Sequence, residues 1–255
     1  MNHFRHKHIW IIGASSGIGY ALAKELSKRQ ARLIISARNS DKLEGLKAEI
    51  QSNDFEAPLI QPLDVSNLKA IQNTVQSIQQ KFQQIDSIIY LAALYEPSRL
   101  DTFDIEKTKR LIDVNLMGAF NLIHCVLPIF QSQQYGQLAL CGSVTGFRGL
   151  PNAQPYGATK AAMINLAQSL KAENPQLDIK LINPGFVRTP LTDKNDFAMP
   201  MLIEPDQAAK AIANGLLKNS FEIHFPKKFT WLMKLLGILP HFLYFKIAHQ
   251  LSKKL

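Results

Sequence analysis

The chain has 255 residues, of which 46% are hydrophobic and 19% are charged, with 13 glycines and 13 prolines. This length and composition exclude a disordered, collagen-like or low-complexity chain, and they are sufficient for a buried core without disulfide or metal support. The formal net charge is +9, but six of the lysines that produce it follow residue 222, after which no acidic residue occurs. The basic excess is mainly a C-terminal feature, which disfavours nucleic-acid binding across the fold.

Short apolar runs alternate with helix-length amphipathic stretches along the chain. Strands are predicted at residues 9–12, 33–37, 59–63, 87–92, 137–141, 179–182 and 222–225. Helices are predicted at residues 16–30, 40–50, 67–82, 156–173 and 205–219, with a long helical stretch between the fourth and fifth strands. Continuous apolar strands separated by helices are typical of a parallel sheet covered on both faces. We therefore predict a single α/β domain over residues 1–226, with a doubly wound parallel sheet, followed by a helical extension over residues 227–255.

A glycine-rich turn, Gly13-Ala14-Ser15-Ser16-Gly17-Ile18-Gly19, follows the first strand. Glycines at this spacing allow the backbone to approach a pyrophosphate closely, and the helix N-terminus offers unpaired N–H groups to it. A glycine-rich turn without a ligand is the alternative, but a strand before and a helix after are the context in which this motif binds a dinucleotide. The residues that we expect to bind the dinucleotide here are Gly13, Ser15, Ser16, Gly17, Ile18 and Gly19.

The end of the second strand, Ser36-Ala37-Arg38-Asn39, indicates which dinucleotide binds. An acidic residue at this place binds the ribose 2′-hydroxyl of NAD(H), whereas a basic residue accepts the 2′-phosphate of NADP(H). The tetrapeptide has no acidic residue, and the guanidinium of Arg38 matches a phosphate with two parallel hydrogen bonds. A solvated surface arginine is the alternative. The sequence predicts NADP(H) as the cofactor.

Tyr156 and Lys160 are four residues apart in a predicted helix and therefore lie on one of its faces. A phenol with a pKa near 10 is a poor acid–base catalyst at neutral pH, but a neighbouring ammonium lowers that pKa. This spacing also arises by chance, and Tyr20 and Lys24 form a second pair with the same spacing. Tyr20 and Lys24 lie in the helix after the glycine turn, where a structural role is expected.

Several ordered motifs together resemble the short-chain dehydrogenase/reductase family between residues 9 and 189. They are the glycine turn, Leu63-Asp64-Val65, Asn115-Leu116-Met117-Gly118, Cys141-Gly142-Ser143, Tyr156 with Lys160, and Pro184-Gly185 followed by Thr189-Pro190. The resemblance implies a Rossmann-type fold. It also implies an NAD(P)-dependent oxidoreductase that acts on alcohol and carbonyl groups.

The resemblance assigns roles to individual residues. It implies that Tyr156 is the acid–base group, that Lys160 lowers its pKa and binds the nicotinamide ribose, and that Ser143 hydrogen-bonds the substrate oxygen. It also implies that Asn115 anchors a water molecule in a proton relay through Lys160. The residues expected beside the cofactor are Asp64 and Val65 at the adenine, Ala92 after the fourth strand, and Val187 and Thr189 at the nicotinamide. These roles suit the chemistry, because hydride transfer to a carbonyl builds charge on an oxygen that needs a donor and a proton.

Two features depart from the family pattern. Ile12 stands where the family usually has threonine, and Tyr90-Leu91-Ala92-Ala93 replaces the usual Asn-Asn-Ala-Gly after the fourth strand. Those asparagines mainly stabilise the sheet and the loop beside the adenine. We therefore expect altered packing and cofactor affinity there, with the four catalytic candidates intact.

The substrate is expected to meet loops 94–101, 146–155 and 189–204. The third loop contains the apolar run 197–203, which favours a lipophilic substrate because ligand pockets are mostly apolar, although a lid packed on its own scaffold has the same composition. Two other functions stay open. One is a non-catalytic NADP(H)-sensing protein with the same fold, and the other is a membrane-surface interaction protein in which the C-terminal segment carries the function.

The C-terminal segment, residues 229–251, is predicted to form two apolar helices that are broken at Pro240. Helices this apolar need a cover, which is either a partner subunit, the active-site lid or a membrane surface. Aromatic residues with flanking lysines and no acidic residue suit an anionic membrane surface. We hypothesise that the segment lies peripherally on membranes and also borders the substrate entrance.

Location and assembly are predicted from apolar run lengths, residue spacing and the family resemblance. No apolar stretch approaches the length that spans a bilayer or forms a signal-peptide core, and no residues have metal-ligand spacing, so a cytoplasmic protein without a metal is expected. In the resembling family, helices that correspond to residues 104–124 and 156–173 commonly pair across a two-fold axis. The resemblance therefore implies a homodimer or homotetramer.

Overall fold

The apolar runs form one parallel sheet of seven strands in the computed structural model, which describes residues 1, 3–98, 101 and 103–252. The strands are β1 (His8–Ile12), β2 (Arg32–Ser36), β3 (Leu59–Ile60), β4 (Ser87–Tyr90), β5 (Gln137–Cys141), β6 (Asp178–Pro184) and β7 (Glu222–Phe225). Their order across the sheet is β3-β2-β1-β4-β5-β6-β7, and all neighbouring pairs are parallel. The prediction of a doubly wound parallel α/β fold is confirmed.

Helices connect the strands and extend past the last one. They are α1 (Gly17–Lys28), α2 (Ser40–Gln51), α3 (Leu68–Phe82), α4 (Ile105–Ile112), α5 (Gly118–Gln133), α6 (Tyr156–Glu173), α7 (Pro205–Leu216), α8 (Lys227–Ile238) and α9 (His241–Ser252). A π-helical turn, Asp113–Met117, joins α4 to α5, and these three elements form the long helical stretch predicted between β4 and β5. The helices α8 and α9 lie on either side of Pro240, as predicted. Lys253 and Lys254 of the basic C-terminal excess lie outside the described residues.

The core lies on both faces of the sheet, because successive residues of a strand point to opposite sides. Ile9 and Ile11 of β1 pack in a cluster with residues of α1, α2 and α7. Trp10 and Ile12 pack in a second cluster with residues of α3, α5 and α6. All four side chains are almost fully buried, and each such burial contributes roughly 1.5–3 kcal/mol to stability. Ile12, at the family's threonine position, is thus a core residue.

Two strands are shorter than predicted, although part of their hydrogen bonding continues. Beyond β3, the backbone N–H groups of Gln61 and Leu63 still donate to Ile35 and Ala37 of the β2 side, at 3.0 and 2.9 Å. Pro62 lies between them on an edge strand, where its missing N–H group disturbs no central ladder. Beyond β4, the N–H group of Leu91 donates to the Ile12 carbonyl at 2.8 Å.

The strand order places a crevice at the carboxyl end of β1. The chain runs from β1 to β2 and β3 on one side, and β4 and the later strands lie on the other side. Ligands of open α/β sheets bind at this point, where the order of strands reverses. Ile12 and Tyr90 are register partners at the ends of β1 and β4, and the glycine turn begins directly after Ile12. The fold therefore positions the glycine turn at the crevice.

Within the described residues, one helical segment has the length and composition that could cross a membrane: residues 105–133, formed by α4, the π-helical turn and α5. The sequence analysis expected no apolar stretch of this length. Leu122, Val126 and Phe130 in this segment are fully buried in the core beside α3. The segment is a core helix of the domain.

Candidate active site

A cavity of about 1170 Å³ runs from the end of β2, across the glycine turn, to the start of α6 and on to α8. With the exception of Asn115, every site residue that the sequence predicted lines this cavity. The elements that bring them together are the carboxyl ends of six neighbouring strands, β1 to β6, and the loops that follow them. Residues that are up to 176 positions apart, Gly13 and Thr189, therefore meet in one site.

The glycine turn needs glycine for reasons of space. Gly13 has φ +99°, and a Cβ atom on it would lie 2.7 Å from the Ala92 backbone nitrogen. Gly17 has φ +55°, and a Cβ atom there would lie 2.8 Å from the Thr189 methyl group. At Gly19, a Cβ atom would lie 2.2 Å from the Gly13 carbonyl oxygen. The turn is thus packed against the loop after β4 on one side and the segment after β6 on the other.

The N-terminus of α1 faces the cavity without a capping side chain. Ser16 is the N-cap residue, and its hydroxyl makes no capping hydrogen bond to the first turn. The first turn also contains no acidic residue. N–H groups at such a helix start carry partial positive charge and suit a phosphate group. Ser15, Ser16, Gly17 and Ile18 line the cavity there, so this end fits the pyrophosphate of a dinucleotide.

Basic residues lie at the β2 end of the cavity. Arg38, two residues after β2, is exposed and lines the cavity. Lys42, in the first turn of α2, lines it as well. Asn39 caps α2 by accepting a hydrogen bond from the Lys42 backbone N–H at 2.9 Å. Lys42 was not predicted from the sequence, although its position one turn after Arg38 was a usable signal. The two cations make this end suited to an additional phosphate.

Asp64 and Val65 also line this end of the cavity. Burial of the Asp64 carboxyl raises its pKa. Hydrogen bonds from the Ser66 hydroxyl and backbone N–H, together with the charges of Arg38 and Arg110, lower this pKa by a larger amount, so that the net shift is downward. The hydrogen bonds from Ser66 to Asp64 Oδ1 are 2.7 Å and 3.0 Å long. Asp64 is therefore a charged and well-oriented acceptor beside the expected adenine position.

Ser143, Tyr156 and Lys160 meet at the end of β5 and the start of α6. Ser143 follows β5, and its Oγ accepts a hydrogen bond from the Thr145 backbone N–H at 3.2 Å, which leaves its own proton free to donate. Tyr156 is the first residue of α6, and the Lys160 ammonium lies one turn later, 5.4 Å from the Tyr156 ring centroid. The Lys160 Nζ donates to the Cys141 carbonyl at 2.8 Å and is almost completely buried. The helical spacing thus places cation and phenol side by side.

The direction of the Tyr156 pKa differs from the sequence-based expectation. We expected Lys160 to lower this pKa, but burial raises it, the neighbouring Cys141 and Tyr95 raise it further, and only the hydrogen bond with Ser143 lowers it. Burial likewise lowers the pKa of Lys160, which Cys141 opposes. The physical reason is that both groups lie in an enclosed wall where the charged form of each loses its hydration. In this environment the Tyr156 phenol is protonated at neutral pH.

Asn115 does not line the cavity. Its side-chain amide exchanges two hydrogen bonds with the Leu94 backbone, at 2.7 Å and 2.9 Å, and a third links it to the Thr159 hydroxyl at 3.3 Å. The π-helical turn that contains Asn115 brings this amide under the loop after β4. In the geometry seen here, Asn115 orients the loop that carries Leu94, and the water-binding role implied by the resemblance stays a prediction.

Tyr90 takes over part of the packing expected of the missing asparagines. Its ring is almost completely buried, and its hydroxyl donates to the Val114 carbonyl at 2.6 Å. This hydrogen bond joins β4 to the π-helical turn. Ala92 lies against Gly13, as described above, and Ala93 lines the cavity. The altered tetrapeptide therefore contacts the glycine turn through Ala92 and the π-helical turn through Tyr90.

The segment after β6 is held by its own hydrogen bonds. The Thr192 hydroxyl donates to the Val187 carbonyl at 2.7 Å and accepts from the Thr189 backbone N–H at 2.9 Å. A backbone bridge between Val187 and Ile203 joins the two ends of the apolar loop. Val187 and Thr189 are thereby fixed at the cavity wall next to Gly17. Thr192 was missed by the sequence analysis, because its role depends on a local turn with no periodic signal.

The far end of the cavity is apolar. Tyr95 packs edge-on against Tyr156, with ring centroids 4.9 Å apart, and its hydroxyl donates to Asn195 Oδ1 at 2.7 Å. Beyond them, the apolar side chains that line the wall are Leu94, Leu150, Phe186, Leu191, Phe197, Phe229, Leu232, Met233, Leu236 and Ile247. Five of these residues come from α8 and α9, so the C-terminal segment borders the site as hypothesised. The part of loop 94–101 at residues 99 and 100 lies outside the described residues.

Tyr20 and Lys24, the second pair with the same spacing, are bound elsewhere. Both side chains form hydrogen bonds with the Glu49 carboxylate of α2. Burial and the hydrogen bond to Glu49 raise the pKa of Tyr20 to about 12. Together these contacts join α1 to α2 and give the pair a structural role.

Comparison with known proteins identifies the family. Residues 7–199 match the sequence model of the short chain dehydrogenases. The chain belongs to this family. The dehydrogenase is 30% identical over 212 residues to an uncharacterized oxidoreductase of Staphylococcus epidermidis, an alignment that covers 82% of the chain and 90% of that relative. It is an oxidoreductase that acts on CH–OH and C=O groups, with the nucleotide-binding Rossmann fold of its family.

Solved structures support the same assignment. An alcohol dehydrogenase from Thermococcus sibiricus in complex with 5-hydroxy-NADP superposes with a TM-score of 0.79 at 26% identity and covers 87% of the dehydrogenase and 96% of its own chain. A short chain dehydrogenase/reductase from Burkholderia phymatum in complex with NAD superposes with a TM-score of 0.84 at 19% identity, covering 92% and 94% of the two chains. The second likeness concerns the fold alone. Both of these solved structures contain a nicotinamide dinucleotide or a derivative of one.

Proposed function

We propose that this dehydrogenase is an NADP(H)-dependent carbonyl reductase or alcohol dehydrogenase whose substrates are lipophilic. The observation that supports it most is the single cavity, which joins the glycine turn and Arg38 to the hydroxyl groups of Ser143 and Tyr156 and to an apolar end. A cofactor bound at the glycine turn and a carbonyl compound bound at the apolar end would meet at Tyr156. In this proposal, residues 1–226 form the catalytic domain, and residues 227–255 form an extension that completes the substrate end.

Local charge supports NADP(H) over NAD(H). Arg38 and Lys42 present two cations to the end of the cavity, and the residues from Ser36 to Asn39 include no carboxylate that would accept a ribose hydroxyl. Guanidinium and ammonium groups both bind phosphate, the first with two parallel hydrogen bonds. The Thermococcus sibiricus relative, in complex with an NADP derivative, agrees with this choice.

The proposed reaction uses the residues at the centre of the cavity. NADPH, when bound, supplies the hydride that reaches the carbonyl carbon. Ser143 and Tyr156 hold the carbonyl oxygen with their hydroxyl groups and stabilise the negative charge that develops on it. Tyr156 then donates its phenolic proton to that oxygen, and the upward shift of its pKa keeps this proton in place before the reaction. Lys160, fixed by the Cys141 carbonyl, stabilises the phenolate that remains.

The apolar end supports a lipophilic substrate. Ligand sites are mostly apolar, with a few polar groups that orient the bound molecule. Here the orienting groups are the hydroxyls of Ser143 and Tyr156, and the surrounding wall is formed by aliphatic and aromatic side chains from three loops and from α8. A non-catalytic NADP(H) sensor, the first alternative, needs only the glycine turn. The meeting of Ser143, Tyr156 and Lys160 in the cavity favours the enzyme.

The test is oxidation of NADPH in the presence of ketones and aldehydes that are graded by lipophilicity, with NADPH binding measured separately by fluorescence. We expect turnover whose kcat/KM increases with the apolar length of the substrate. NADPH binding without turnover of any carbonyl compound would favour the sensor. Turnover that is restricted to small polar carbonyls would overturn the substrate class and leave the reaction type intact.

The proposed assembly is a homodimer or homotetramer in which residues 104–124, in α4 and α5, and residues 156–173, in α6, pair with a second copy. The large apolar side chains that are exposed on this surface are Ile105, Ile112, Met117 and Phe120. An apolar surface of this kind is typical of a protein interface. Replacement of Phe120 with glutamate would bury a charge in both copies, since the interface is symmetric.

Phe120→Glu should therefore weaken the dimer by about 100-fold or more, which light scattering over a range of micromolar concentrations would detect. Tyr135→Glu is the matched control, because Tyr135 is exposed beyond the C-terminal end of α5, where its hydroxyl hydrogen-bonds Gln84. A monomeric wild-type protein at micromolar concentration, or an equal effect of both variants, would contradict the proposed interface.

The proposed location is the cytoplasm, with peripheral contact between the C-terminal segment and a membrane. The support for it is the exposed apolar surface of α8 and α9 together with the basic residues around it. A surface helix with large apolar residues and flanking lysines lies in the plane of a membrane interface.

A further inference from the structure

The helices α8 and α9 are attached to the wall of the substrate end. The Arg148 guanidinium donates to the Gly237 carbonyl at 3.0 Å and to the Leu236 carbonyl at 3.4 Å, both at the C-terminal end of α8. It also lies over the Tyr244 ring of α9, 4.2 Å from the centroid, and the Tyr244 hydroxyl donates to the Gly149 carbonyl. Both helices are therefore bound to the loop that follows Ser143.

The outer surface of these two helices is apolar. Among the described residues, eight of the sixteen large apolar side chains that are exposed lie between positions 231 and 247: Trp231, Leu232, Leu235, Ile238, Phe242, Leu243, Phe245 and Ile247. Ile238 and Phe242 are the most exposed, at 79% and 73%. We call these eight residues the C-terminal apolar face. Exposed apolar side chains at this density on two neighbouring helices mark a binding surface.

Charge indicates what covers the C-terminal apolar face. The lysines Lys227, Lys228 and Lys246 are exposed on the same two helices, and no acidic residue follows Glu222 in the sequence. A second copy of this face would bring these cations opposite one another, which costs energy. An anionic bilayer surface complements both features, because it accepts the apolar side chains and attracts the lysines.

The cavity reaches the C-terminal apolar face. Leu232 and Ile247 belong to that face, with 50% and 37% of their surfaces exposed, and they also line the cavity. Phe229, Met233 and Leu236 line the cavity from the same side of α8. The wall of the substrate end and the C-terminal apolar face thus share Leu232 and Ile247.

We infer that the C-terminal apolar face rests on an anionic bilayer and that lipophilic substrates enter the cavity from that bilayer, past Leu232 and Ile247. The entry of lipophilic substrates rests on the proposed function, whereas the bilayer contact is argued only from the exposed residues of α8 and α9. It predicts that substitutions on this face abolish vesicle binding and the access of a lipophilic carbonyl compound together. The same substitutions leave the reduction of a small water-soluble carbonyl compound unchanged.

The test uses the full chain with both Ile238→Glu and Phe242→Glu, two exposed positions that do not line the cavity. The matched control has both Leu68→Glu and Tyr135→Glu, which place the same charges at exposed apolar positions elsewhere. Cosedimentation is measured with vesicles of equal parts phosphatidylglycerol and phosphatidylcholine, and with pure phosphatidylcholine. A third variant with Lys228→Glu and Lys246→Glu tests the charge contribution.

We expect the wild-type protein and the control to bind the anionic vesicles and to bind the neutral ones weakly. The Ile238/Phe242 variant should bind the anionic vesicles about 100-fold more weakly, and the lysine variant about 10-fold more weakly or more. For a long-chain ketone delivered in anionic vesicles, the KM of the Ile238/Phe242 variant should rise about 10-fold. Its kcat/KM for a short water-soluble ketone should equal that of the wild type.

Equal and negligible binding of the wild type to both kinds of vesicle would overturn the bilayer contact. An oligomer that the Ile238/Phe242 variant dissociates in light scattering would overturn it too, since the face would then belong to a second copy. Unchanged turnover of the vesicle-delivered ketone by that variant would overturn entrance from the bilayer. Failure of the wild type to reduce any ketone, short or long, would instead count against the proposed function, while the vesicle data would still decide the contact.

Discussion

Replacement of Tyr156 with phenylalanine should lower kcat for carbonyl reduction by about 10²- to 10⁴-fold, the range expected when a positioned proton donor is removed. The substitution keeps the buried ring that packs against Tyr95 and deletes only the hydroxyl. The carbonyl oxygen would then lose its proton source and one of its two hydrogen-bond donors. Binding of NADPH should change little, because the glycine turn and Arg38 are untouched. Steady-state turnover and fluorescence titration would measure the two effects separately.

Tyr20→Phe is the matched control for this prediction. Tyr20 has the same spacing to a lysine, but its hydroxyl is bound to Glu49 outside the cavity. Its replacement should leave kcat unchanged within about twofold, since it touches no reacting group. Near-normal turnover of Tyr156→Phe would show that the proton comes from another group, and a comparable loss in Tyr20→Phe would show that the effect is one of stability.

Arg38→Asp should weaken NADPH binding by about 100-fold or more and reverse the preference in favour of NADH. The substitution removes the guanidinium that would bind the 2′-phosphate and places a carboxylate where it repels phosphate but accepts ribose hydroxyl groups. Lys42→Ala should have a smaller effect, about 3- to 10-fold, because an exposed ammonium acts as a screened point charge. Fluorescence titration with both cofactors would measure the dissociation constants.

The control for the cofactor prediction is Arg5→Asp, which makes the same charge change at an exposed position outside the cavity. It should leave the ratio of NADPH to NADH affinity unchanged. An unchanged ratio in Arg38→Asp would contradict the assignment of NADP(H). Equal shifts in both variants would mean that overall charge, rather than a contact at the end of β2, sets the preference.

The strands, the glycine turn and the pairing of Tyr156 with Lys160 could be predicted because their signals are local. Each strand is a continuous apolar run, and β5 and β7 have the bounds that the sequence predicts. Gly13 and Gly17 have positive φ angles, and a side chain at either would collide with a neighbouring loop, so their spacing carries real structural information. Strand ends were less well predicted, because pairing beyond Ile60 continues only through single hydrogen bonds.

Several parts of the site could not be predicted because they depend on tertiary contacts. Tyr95 is brought onto Tyr156 by the loop after β4, and Asn115 reaches the Leu94 backbone across twenty-one residues. Nothing in the local sequence of either residue indicates these partners. The attachment of Arg148 to α8 and α9 is a similar case, since the contacts span about ninety residues. The apolar composition of α8 and α9 could be read from the sequence. Which of their residues line the cavity could not.

The direction of the Tyr156 pKa is the clearest difference between sequence and structure. The spacing of Tyr156 and Lys160 correctly predicted their proximity, but proximity alone suggested a lowered pKa. Burial is the larger effect here, and it depends on the whole wall around the phenol.

The measurement that tests the central claim most directly is the transfer of deuterium from NADPH labelled at the nicotinamide C4 position to a ketone from the lipophilic series. The proposed reaction predicts one deuterium on the carbinol carbon of the alcohol product, formed by the wild-type protein and strongly reduced in Tyr156→Phe. Binding of the labelled cofactor with no deuterium in any product across the series would contradict hydride transfer as the function of this cavity.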